Sequence, residues 1–157
     1  MSRIFAAIAL VVLTATTAFA DQIAPRQGWS ITPTEKPYET LIEDLKSAVK
    51  AHKFGVVTQA GPTKAAARRG VTIPGNRVIG VFNNVYAVRT LETSTAAMIE
   101  APIRFYITEN DDETATLSYK TPSFVFAPYM EEGGAELAAI ASELDSIFAS
   151  IAAEATN

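Results

Sequence analysis

Two alternating runs joined by a polar turn set the centre of any fold open to this chain. Pro102 to Glu109 puts Ile103, Phe105 and Ile107 on one side, and Thr114 to Lys120 puts Ala115, Leu117 and Tyr119 on one side. Between them lies Asn110-Asp111-Asp112-Glu113, residue types that bend chains and face water. A period of two on both sides of such a cluster predicts a hairpin with one buried face. A lone hairpin is at best marginally stable in water, so the rest of the chain has to cover that face.

Cover is supplied by two amphipathic segments. In Pro37 to Phe54 the residues Tyr38, Leu41, Ile42, Leu45 and Val49 recur at three- and four-residue steps. Pro37 suits a first helical turn, Glu39, Glu43 and Asp44 lie toward the N-terminal end, and Gly55 suits the exit. In Ala135 to Ala155 the stripe is Leu137, Ile140, Leu144, Ile147, Phe148 and Ile151. Shorter segments fill in the order. Strands are predicted at Trp29–Thr32, Gly55–Gln59 and Arg77–Phe82, and helical turns at Pro62–Arg69 and Val85–Leu91. A loop is predicted around Pro128 and Gly133-Gly134, with Glu131 and Glu132 as its charges. Strand, helix, four strands with short helical insertions and a long helix predict an α+β fold. Its sheet is mostly antiparallel, with the helices packed on one face.

The first twenty residues stand apart from this pattern. Arg3 is followed by the unbroken apolar run Ile4 to Leu13, and the segment ends in Ala18-Phe19-Ala20. A positive start, a short apolar run and an A-x-A end are the three regions of a secretory signal peptide, cut here after Ala20. The run is shorter than the roughly 20 residues that span a bilayer, so no membrane anchor is expected after cleavage. The expected address is the periplasm or the exterior. Residues 21–28 then form a polar, loosely held N-terminus, and 29–157 a single domain.

Composition narrows the function classes. The chain has no cysteine, which excludes disulfides, thiol redox chemistry, cysteine nucleophiles and cysteine-bound zinc. The leader holds one of the 13 basic residues and none of the 17 acidic ones. Twelve basic against 17 acidic residues lack the basic footprint of a nucleic-acid binder, and none is expected as a partner. No G-x-S-x-G, Walker A or G-x-G-x-x-G occurs.

The stretch from Arg77 onward resembles the bacterial domain-of-unknown-function 302 family. The residues that carry the likeness are Val78-Ile79-Gly80-Val81-Phe82-Asn83-Asn84, Ala101-Pro102-Ile103-Arg104-Phe105 and Leu117-Ser118-Tyr119-Lys120-Thr121-Pro122. Glu39-Thr40-Leu41, Leu45 and Phe54-Gly55-Val56 upstream are similar to the family's first helix and second strand. The resemblance covers roughly residues 29–152. It implies a strand-helix-four-strand-helix fold like that of the TATA-box-binding protein, often as a dimer, and no activity.

Candidate functional residues are few. His52, the only histidine, lies at the end of the first helix beside Lys50 and Lys53, where a cation favours the helix dipole. Glu109, Asp111, Asp112 and Glu113 offer hard oxygen ligands of the kind calcium takes, yet lack EF-hand spacing and suit a solvated hairpin tip. No metal site or cofactor is expected. The remaining group is Asn83, Asn84, Tyr86 and Arg89 with Arg104, Tyr106 and Tyr119. Amide and guanidinium groups bind carboxylate or phosphate, and tyrosine rings make apolar walls. The structural alternative is that Asn83-Asn84 caps the short helix.

The leading expectation is a non-enzymatic domain outside the cytoplasm that binds a small molecule or a protein partner. A dimeric interaction module and a cryptic enzyme using His52 or a buried carboxylate are the alternatives. Convergence of Asn83, Arg89, Arg104 and Tyr119 on one concavity favours binding, and their scatter a scaffold.

Overall fold

The computed structural model describes residues 23–157, so the expected leader and cleavage point lie outside the described residues. The elements follow in the order β1 (Trp29–Pro37), α1 (Tyr38–Ala51), β2 (Gly55–Ala60), α2 (Thr63–Ala67), β3 (Asn76–Phe82), α3 (Asn84–Thr93), β4 (Ile103–Glu109), β5 (Thr114–Lys120), α4 (Pro122–Phe126) and α5 (Met130–Thr156). The five strands form one sheet in the order β1-β5-β4-β3-β2, antiparallel throughout. The fold is α+β, as the periodicities require.

One face of the sheet carries the core. Ile103, Phe105 and Ile107 of β4 and Ala115, Leu117 and Tyr119 of β5 are buried there with Ile79 and Val81 of β3. Leu41, Ile42, Leu45 and Val49 of α1 and Leu137, Ile140, Leu144, Phe148 and Ile151 of α5 close over them. The Phe148 ring stacks on Phe105 at 4.8 Å between centroids and meets Tyr119 at 5.7 Å. Full burial of such side chains stabilises by about 1.5–3 kcal/mol each. This layer, more than any polar contact, holds the helices to the sheet.

Several boundaries differ from expectation for local reasons. β1 runs on through Pro33 to Pro37, five residues beyond Thr32, because it is the edge strand and an edge tolerates proline. Pro37 therefore ends β1 and precedes α1 instead of lying in the helix. The loop expected around Pro128 contains α4, capped by the Thr121 hydroxyl that accepts from Phe124 N, and a 3-10 turn at Ala127–Tyr129. A second 3-10 turn spans Ala97–Glu100. Glu131 and Glu132 lie in the first turn of α5, where acidic side chains favour the dipole, and Glu132 accepts a hydrogen bond from the Ser94 hydroxyl. α5 bends at Gly134, whose φ of 58° lies in the left-handed region glycine favours. The continuous stretch beyond it begins at Ala135, where the stripe predicts.

Candidate functional site

The seven residues singled out in the sequence do not converge. Asn83 caps α3: its Oδ1 accepts from Val85 N at 2.9 Å and Tyr86 N at 3.4 Å, and its Nδ2 donates to Lys53 O at 3.0 Å. Asn84 is exposed on the first turn. Arg89 points to α5, donating to Glu143 at 2.7 Å and Glu136 at 3.1 Å, and the Tyr86 hydroxyl donates to the same Glu143 at 3.2 Å. Arg89 holds the Glu143 carboxyl below its ordinary range, while burial and Glu143 push the Tyr86 hydroxyl up. These four side chains tie α3 to α5 and are engaged with one another. Tyr119 lies in the core, 5% exposed. Of the seven, Arg104, Tyr106 and Tyr119 border one concavity, the first two from the face of the sheet that the helices leave open.

His52 follows α1, and its Nε2 meets Glu154 Oε2 near the end of α5 at 3.1 Å. Both side chains are partly exposed, and neither borders the concavities described below. At the hairpin tip Asp112 accepts from Thr114 N at 3.1 Å, and Glu109 accepts from Gly75 N at 2.5 Å. The Thr114 hydroxyl, which donates to Asp112 at 2.5 Å, and after it the Thr114 amide hold the Asp112 carboxyl below its ordinary range. Among the described residues no three His, Asp or Glu side chains are placed to hold a metal ion.

The open face is laid out by strand register, since residues directly opposite in an antiparallel pair share a side. Trp29 pairs with Lys120, Ile31 with Ser118 and Pro33 with Thr116. Ser118 pairs in turn with Tyr106, and Tyr106 with Val78. Phe105 opposes Tyr119, so one further step of the same register sets Arg104 opposite Lys120. Small residues Ser118 and Thr116 form a floor between the larger side chains of β1 and β4. Beyond Arg104, Gly80 leaves room for the Pro102 ring.

A concavity of about 450 Å³ opens here, bordered by Trp29, Val78, Glu100, Arg104, Tyr106 and Lys120. Arg26 and Lys120 lie over the Trp29 ring at 5.2 and 5.9 Å from its centre. The Tyr106 hydroxyl accepts from Asn76 Nδ2 at 2.5 Å, which leaves its own hydrogen free to donate. Glu100, at the rim, takes the Tyr129 hydroxyl at 2.7 Å and thereby raises that hydroxyl's pKa. A separate apolar cavity of about 40 Å³ lies beneath α3 among Phe54, Tyr86, Met98, Phe126, Leu144 and Phe148. The sequence reading missed Trp29, Val78, Glu100 and Lys120. Hairpin symmetry about the turn could have found Lys120, because it alone places residues 104 and 120 side by side.

The fold and the residue patterns fit one family. Residues 30–154 match the model of the domain of unknown function DUF302, and the chain belongs to that family. A solved relative, described as an uncharacterized conserved DUF302 protein from Bacillus stearothermophilus, superposes with a TM-score of 0.73. It is 17% identical, and the match covers 83% of this chain and 99% of that one. That likeness shows the fold. Among curated proteins none matches this chain.

Proposed function

We propose that this protein is a non-enzymatic binding domain that works outside the cytoplasm and takes a small molecule on its open sheet face. The observation that carries the reading is the asymmetry of the sheet. One face lies under α1 and α5, while the other leaves Trp29 and Tyr106 only half-buried around a concavity of about 450 Å³. That volume lies at the small end of the roughly 300–1,000 Å³ range of ligand clefts. The leader ending in Ala18-Phe19-Ala20 supports export, and N-terminal sequencing of protein from the native host should begin at Asp21. A start at Met1 or Ser2 would reject export.

A thermal-shift screen of metabolites, followed by amide-shift mapping, tests the binding surface. A ligand of the native state raises the melting temperature, and the perturbed amides should cluster on β3, β4 and β5. The reading fails if no compound stabilises the protein or if the shifts map elsewhere. The competing use of this face is a second copy of the chain, favoured by the uncovered Ile31 and Val78. Native mass spectrometry would then show a dimer that Val78→Glu splits.

A further inference from the structure

The ligand class follows from how the donors on this face are arranged, an argument that rests on the binding reading above. Arg104 and Lys120 stand opposite each other on neighbouring strands, and like charges in that position destabilise a sheet. Of the other cations, Lys36 meets Asp44 at 2.7 Å, Lys46 meets Glu43 at 2.8 Å and Arg89 meets Glu136 and Glu143. Surface cations such as Lys50, Lys64 and Arg68 stand unpaired among the described residues and, unlike Arg104 and Lys120, do not border this cleft. Among the described residues neither Arg104 nor Lys120 has a carboxylate within 4.0 Å. Both side chains offer only donors, and the free hydrogen of Tyr106 adds a third. Three donors without an acceptor border a cleft whose other lining residues include Trp29, Val78, Ile103, Tyr119 and Val125. Glu100 is the acid among the cleft's bordering side chains, and its carboxylate is already engaged by Tyr129. Its charge disfavours a ligand carrying several negative charges.

We infer that the open face binds a monoanionic organic acid, its acidic group held by Arg104, Lys120 and the Tyr106 hydroxyl and its apolar body against Trp29 and Val78. A carboxylate or a singly charged phosphate ester supplies the acceptors all three donors lack. Charge-assisted bonds of this kind are about twice as strong as neutral ones. A bound acid also removes the repulsion between the two cations, so occupancy and sheet stability rise together.

The test uses the full mature chain and a panel of aryl and alkyl carboxylic acids, each beside its primary amide, titrated by calorimetry with amide-shift mapping. The amide keeps the shape and drops the charge. At least one acid should bind roughly tenfold or more tighter than its amide, with shifts on β3, β4 and β5 that weaken as salt rises. Arg104→Ala and Lys120→Ala should each remove most of that preference and leave amide binding unchanged. Arg104→Lys should retain part of it. Without ligand, both alanine variants should melt no lower than the parent, which shows that lost binding is not lost folding. Equal binding of acids and amides on this face, or a preference that survives both substitutions, overturns the inference while leaving the binding reading intact. If no acid binds, the inference also falls. If no compound of any charge perturbs this face, the binding reading falls with it.

Discussion

Asn83 holds two elements with one side chain, satisfying the free amides at the start of α3 and reaching back to the Lys53 carbonyl after α1. Asn83→Ala should cost about 0.5–2 kcal/mol in urea melts, the usual worth of an N-cap. Asn83→Asp should recover the cap but not the contact to Lys53, and so fall between the two. Gly80 makes a different demand. A Cβ there would collide with the Thr58 hydroxyl and lie 2.8 Å from the Pro102 ring. Gly80→Ala should therefore destabilise by about 1–3 kcal/mol, as overpacking does. An unchanged melting midpoint would mean that β2 and the Pro102 ring can shift aside. The capping role of Asn83 was legible beforehand, because asparagine ahead of an amphipathic segment carries that signal. The partner of Arg89 was not, since Glu143 is 54 residues away in the chain.

α5 is the element on which the core depends most. Leu144 is 4% exposed and already borders the small cavity beneath α3. Leu144→Ala would enlarge that void and should cost about 2–5 kcal/mol. A loss under about 0.5 kcal/mol would mean the helix packs only at the periphery. The tie between α3 and α5 adds a pH dependence. Arg89 lowers the folded-state pKa of Glu143 below the ordinary value of about 4.5. Its contribution is therefore present above that value and lost as pH falls through the depressed one. Urea melts taken from neutral pH down to about pH 3 should show a shallower acid loss for Glu143→Gln than for the parent. Identical acid limbs would show that the pair contributes nothing to stability. The stripes of α1 and α5 could be read directly, whereas α4 could not. A five-residue helix has too few turns for a period to show, and its start rests on the Thr121 cap and on Phe126 reaching the core.

The whole molecule is a sheet closed on one side. β4 and β5 lie inside the sheet, each with paired neighbours on both edges, and their inner faces are buried. Their amides should exchange with solvent only through global unfolding, while the exposed α2 and its flanking loops exchange first. Protection of α2 equal to that of β4 would show that the 61–75 segment folds as part of the core. Hydrophobic period and turn chemistry were enough to determine the hairpin, the two covering helices and the α+β class, because burial of a stripe is a local pattern with a local signature. The family was legible in the resemblance of the Val78–Asn84, Ala101–Phe105 and Leu117–Pro122 motifs. The same alternation put Arg104 and Tyr106 opposite the buried side. Which residues meet across that open face was decided by tertiary structure alone. Strand order brings Trp29 of β1 beside Lys120 of β5, and long-range pairing turned Arg89 and Tyr86 toward α5 and away from Arg104. A single chain written as a line carries each residue's chemistry, but neighbours across strands exist only once the sheet has chosen its order.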